Sequence, residues 1–123
     1  MPTEPAGELK PPGHIIGFVD DDAAARSFVL TLMERGFSES QVAVFQGEAG
    51  IEQWTKMMEG SLWGESTEDV FKDGIAELQA GHSAMVIDVS DSQTAAGVAD
   101  LARQMGGHGF YHFGVLVDTR LTP

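Results

Sequence analysis

The stretch Gly81-His-Ser-Ala-Met-Val-Ile-Asp-Val89, followed by Ser90-Asp-Ser-Gln93, decides the fold. Ser83 to Val89 is a short apolar run and reads as a strand covered on both faces. Ser90 and Gln93 then form a candidate capping box that opens a helix. The chain uses the same device near its beginning, at His14-Ile-Ile-Gly-Phe-Val-Asp-Asp-Asp22. There a β-branched strand runs into short carboxylates, which accept hydrogen bonds from the free N–H groups of a helix's first turn.

Outward from these two points the halves repeat. Slid by 70 residues, Ile16 falls on Val86, Phe28 on Val98, Leu32 on Ala102 and Gly36 on Gly106. Each half is strand, helix, strand. The first helix, from about Ala23 to Arg35, carries Ala25, Phe28, Val29 and Leu32 at helical spacing. Gly36 stops it in a left-handed cap, which places Phe37 against Leu32. The second strand is Gln41 to Gln46, and the fourth runs from Phe110 to Val117. Two interleaved units of this kind give a split βαβ, ferredoxin-like α/β (α+β) sandwich with a four-stranded sheet. The strands starting at His14 and Ser83 are expected at its centre. The segment 47–81, with one or two helices, is an insert between the halves. The first 13 residues, rich in proline, are expected to be a flexible tail, leaving 14–123 as a single domain.

Composition narrows the function. The chain has 123 residues, 7 basic and 19 acidic side chains, a net charge of −12 and no cysteine. Such a surface repels nucleic-acid backbones and anionic lipid. Thiolate chemistry and cysteine-ligated metals are excluded. No apolar run is long enough to span a membrane and no signal peptide is evident, so a cytoplasmic protein is expected.

Ile15-Ile-Gly-Phe-Val-Asp-Asp21, Arg35-Gly36-Phe37, Val42-Ala-Val-Phe-Gln-Gly47, Leu78-Gln-Ala-Gly-His82 and Met105-Gly-Gly107 together resemble the small bacterial general-stress, or heat-induced stress, proteins. The likeness spans about Ile15 to Leu121. It implies a ferredoxin-like domain with a non-enzymatic, stress-associated role, and it brings no catalytic residues with it.

The candidate site residues follow from the same layout. With strands one and three parallel, Asp20, Asp21, Asp22, Asp88 and Asp91 would gather at one end of the sheet. Hard oxygen donors so placed suit Mg²⁺ or Ca²⁺. Phe18-Val-Asp-Asp-Asp22 with Ile87-Asp88 also has the look of a receiver's phosphoacceptor pocket. Neither late strand, however, is followed by the lysine that receivers keep there. His108 and His112 lie four residues apart, roughly 13 Å along a strand and too far to share an ion. His14 and His82 precede the two central strands and are expected together at the end opposite the carboxylates. The metal candidates are therefore Asp20, Asp22, Asp88, His108 and His112, while helix caps and solvated turns account for the same acids without any ion. Trp54, Met57 and Trp63, with Met58 and Leu62, are candidates for a lid over the core, an interface or a pocket, and Tyr111 and Phe113 for an interface or a pocket. No catalytic constellation and no cofactor are expected. A homo-oligomer is expected through the insert or through an edge strand, because Phe110 to Leu116 is long and apolar. These readings converge on a non-catalytic binding module. A small-molecule or metal-binding regulatory domain and a receiver-like domain are the alternatives.

Overall fold

The computed structural model describes residues 13–59, 65–89, 91–113 and 118–122. In chain order these form β1 (His14–Val19), α1 (Asp22–Glu34), a 3-10 turn (Glu39–Gln41), β2 (Val42–Phe45), α2 (Gly47–Glu59), α3 (Glu65–Gln79), β3 (Ser83–Asp88), α4 (Ser92–Gln104), β4 (His108–Phe113) and β5 (Asp118–Arg120). The expected tail, Leu62, Trp63, Ser90 and residues 114–117 of the expected fourth strand lie outside the described residues.

The protein is a mixed α/β fold around one antiparallel sheet, with strand order β2-β3-β1-β4-β5. β1 and β3 are inner strands, as expected. Their direction is not as expected: β1 pairs with β3 antiparallel, His14 opposite Asp88 and Val19 opposite Ser83. β2 also runs antiparallel to β3, so β1 and β2 share a direction with β3 between them. The parallel relation lies between the strands within a half, because each helix crossover spans one intervening strand.

Strand alternation divides the core in two. Ile15, Val19, Met85 and Ile87 pack with Phe28 and Leu32 of α1 and Val98, Leu101 and Ala102 of α4. Ile16, Phe18, Ala84 and Val86 pack with Trp54 and Met57 of α2 and Leu78 of α3. Helices therefore cover both faces of the sheet. The insert is more than a link between halves; it forms a third layer. This explains why β1 and β3 are apolar at nearly every position, whereas a sheet wet on one side would alternate.

Trp54, Met57 and Phe113 are buried in this second core and present no surface to a partner, which corrects their reading as interface residues. Trp54 meets Phe45 edge-on at 5.4 Å, and its Nε1–H donates to the Phe71 carbonyl at 3.1 Å. Tyr111 is partly buried and packs against the same cluster. The expected edge at β4 is also corrected. β5 pairs with Tyr111 to Phe113, so a fifth strand covers it and β2 is the other outer strand.

Local chemistry sets the helix ends. The Asp21 carboxylate accepts from the Ala24 N–H at 2.8 Å and caps α1, worth about 1 kcal/mol in such positions. The cap of α4 is Asp91, which accepts from the Thr94 N–H at 2.7 Å, in place of the expected Ser90 and Gln93 pair. The backbone N–H of Thr94 holds the Asp91 carboxyl below its ordinary range. Three helices end alike. Gly36, Gly81 and Gly106 have positive φ, and the next residue's N–H returns to the carbonyl five positions back: Phe37 to Leu32, His82 to Glu77, Gly107 to Ala102. Glycine fits this left-handed cap because it has no Cβ to clash.

Candidate metal centre

The antiparallel register splits the acidic set. Asp20 to Asp22 sit where β1 ends and β3 begins, whereas Asp88 and Asp91 lie at the other end, roughly 17–20 Å away along the strands. The joint pocket that a hard-cation or phosphoacceptor reading requires does not assemble. The histidines are redistributed by the same reversal. His14 lies opposite Asp88 and Phe113, far from His82, so the expected pairing of those two is corrected. His14 Nδ1 is buried with no hydrogen-bond partner among the described residues.

His82 is placed by the end of α3. In the glycine cap at Gly81, the residue after the glycine returns to the helix position where Glu77 stands. That geometry usually brings two apolar side chains together. Here it brings an imidazole onto a carboxylate, with His82 Nδ1 2.6 Å from Glu77 Oε1.

His108 is placed by a bulge. Ile16 faces Tyr111 but Phe18 faces His108, so β4 carries one extra residue across from β1. Gly109 accommodates it at φ +63°. A bulge of this kind re-aims the neighbouring side chain. His108 consequently lies on the Phe18 side of the sheet, its ring 6.1 Å from that of Phe18, and its Nε2 reaches Glu77 Oε1 at 2.6 Å. Its other nitrogen, Nδ1, stands 3.8 Å from Asp20 Oδ1. The two imidazole rings lie edge to face with centroids 5.5 Å apart.

Four side chains from four elements' ends thus form one chain of groups, Asp20–His108–Glu77–His82. Asp20 is exposed and the other three are partly buried. Burial pushes the Glu77 carboxyl up, but the hydrogen bonds from His108 and His82, with the attraction of their charge, outweigh it and hold the group below its ordinary range. Asp20, His82 and His108 each offer one ligand atom, all within 4.8 Å of one another. Beside them Ser83, fully buried, donates to Asp22 Oδ1 at 3.4 Å and accepts from Gln46 Nε2 at 3.3 Å.

Of the metal candidates, Asp20 and His108 are brought together; Asp22, Asp88 and His112 are not part of the cluster. His112 is buried on the face opposite Tyr111, and its Nε2 bonds the Val89 carbonyl at 2.9 Å. His108 and His112 are therefore divided by the sheet as well as by distance. Glu77 was not foreseen. Its signal was present in the spacing Glu77…Gly81-His82, the same spacing by which the Phe37 N–H returns to the Leu32 carbonyl.

Compared with known protein families, with curated proteins and with solved structures, the chain matches none. Among the described residues no helix is long and apolar enough to cross a membrane.

Proposed function

We propose that the chain is a non-catalytic binding module that takes a divalent transition-metal ion at Asp20, His82 and His108. One observation carries the reading: ligand atoms from the end of β1, the start of β3 and the start of β4 converge within 4.8 Å. Two imidazoles and one carboxylate suit zinc and its neighbours, whereas Mg²⁺ and Ca²⁺ favour sites made wholly of oxygen. Three protein ligands leave a fourth position for water or a small ligand, which fits a regulatory domain. Calorimetric titration tests it. Zn²⁺ should bind the wild type with one-site stoichiometry, Mg²⁺ should give no saturable heat, and His82→Ala and His108→Ala should abolish binding. A wild type that ignores Zn²⁺ would leave the cluster as a clamp holding α3 to the sheet and would end the metal reading.

In this proposal the fold is ferredoxin-like, with the α2–α3 insert covering the face that such sheets leave open. The order β2-β3-β1-β4, and α1 with α4 on one face, support that assignment. The resemblance to general-stress proteins makes a stress-associated role part of the same proposal, and expression unchanged by heat or oxidant would remove it. Self-association belongs at an outer strand of the sheet, β2 or β5, since β4 is covered. A monomer at micromolar concentration in sedimentation velocity would remove that element.

A further inference from the structure

Resting on the reading of the cluster as a metal site, we infer that Glu77 is its positioning residue: it holds both histidines so that His82 Nε2 and His108 Nδ1 are the ligand atoms facing Asp20. Two distances decide which side of the rings the ion takes. With metal–ligand lengths of about 2.0–2.2 Å, two ligand atoms on a tetrahedral ion stand about 3.4 Å apart. The 3.8 Å between His108 Nδ1 and Asp20 Oδ1 is too long for a hydrogen bond and close to that span. The contacts of Glu77 Oε1 with His82 Nδ1 and His108 Nε2, at 2.6 Å each, are hydrogen bonds. An ion placed there would have to force each pair apart by about 0.8 Å, given the same tetrahedral span.

The chemistry of the donors agrees with the distances. An ionised carboxylate only accepts, so both ring nitrogens facing it carry hydrogen. A neutral imidazole has one N–H and one lone pair. Donation to Glu77 therefore places the lone pairs on His82 Nε2 and His108 Nδ1. A carboxylate behind a ligand histidine fixes the tautomer and ring orientation and raises its basicity, and losing such a partner typically costs about 10–100-fold in metal affinity. Here a single oxygen serves two histidines at once. Helix α3 supplies no ligand in this arrangement, yet through Glu77 the insert governs the site.

The test combines metal titration with nitrogen-15 spectra of the imidazoles in the full chain. In the metal-free wild type with both rings neutral, His82 should be the Nδ1–H tautomer and His108 the Nε2–H tautomer. On adding Zn²⁺, the coordination shift should appear at His82 Nε2 and His108 Nδ1. Glu77→Ala should retain the fold by circular dichroism, lose the fixed tautomers and bind Zn²⁺ about 10–100-fold more weakly. Glu77→Gln, which keeps an acceptor oxygen without the charge, should fall between the two. Zinc shifts at His82 Nδ1 and His108 Nε2 would make Glu77 a direct ligand and overturn the inference. Equal Zn²⁺ affinity in wild type and Glu77→Ala would overturn it while leaving the metal reading intact. No Zn²⁺ binding by the wild type would overturn both.

Discussion

Replacing Gly74 with alanine sets two effects of opposite sign against each other. Gly74 is buried in the middle of α3, where alanine is the better helix former by about 0.8–1.0 kcal/mol. A Cβ at that position, however, would lie 2.3 Å from Trp54 Cε2, where ordinary contact begins at 3.4 Å. The indole would have to retreat about 1 Å, and it has nowhere to go. It is fully buried, with the rings of Phe45 and Phe18 at centroid distances of 5.4 and 6.3 Å. Overpacking of this kind costs about 1–3 kcal/mol. Moving the ring also endangers the bond from Trp54 Nε1 to the Phe71 carbonyl, and an orphaned buried donor costs about 1–3 kcal/mol more. Less the gain in helix propensity, Gly74→Ala should destabilise by about 1–5 kcal/mol. Gly97→Ala in α4 is the control, because a Cβ there meets nothing within 4 Å. Gly97→Ala should stabilise by up to about 1 kcal/mol. Urea unfolding followed by circular dichroism measures both, and with a slope of about 2 kcal/mol per molar the Gly74→Ala midpoint should fall by roughly 0.5 M or more. A Gly74→Ala protein with a midpoint at or above wild type would refute the packing described for the α2–α3 layer.

The remaining predictions concern the histidines and their partners. Because Glu77's carboxyl is lowered in the folded state from the ordinary 4.5, its stabilisation is present above that value and is lost as pH falls through the folded-state value. The stability difference between wild type and Glu77→Gln should therefore be fully present above the ordinary 4.5 and shrink as pH falls below it; a constant difference on acidification would contradict the assignment. His112→Leu should destabilise by about 1–3 kcal/mol by leaving the Val89 carbonyl without its partner, and it should leave Zn²⁺ affinity unchanged. A change in that affinity would contradict the separation of His112 from the cluster.

Much of the fold was legible along the chain. The apolar runs at Ile15 and Ala84, the glycine stops at Gly36, Gly81 and Gly106, and the capping aspartate at Asp21 are local features, and each forms where its own neighbours direct it. The inner placement of β1 and β3 followed from their being apolar at successive positions. The direction of β3 against β1 differs from the expected one, and this separates Asp88 and Asp91 from Asp20 to Asp22 and His14 from His82. A reversal of β3 leaves its own pattern of apolar residues unchanged, so nothing within Ser83 to Asp88 records which way it runs. Trp54 and Met57 were visible as a dense apolar set, but a helix face reads the same whether it meets a sheet or a partner.

The sequence by itself determined the elements, their buried faces and the Glu77–Gly81–His82 turn, because propensity, periodicity and capping act within a few residues. Only the tertiary structure decided that His108 and Asp20 join that turn. Their meeting depends on an antiparallel register and on an extra residue opposite Gly17, contacts between segments distant in the chain. Side chains brought together by strand pairing have no periodicity in common, so no local pattern could have announced them.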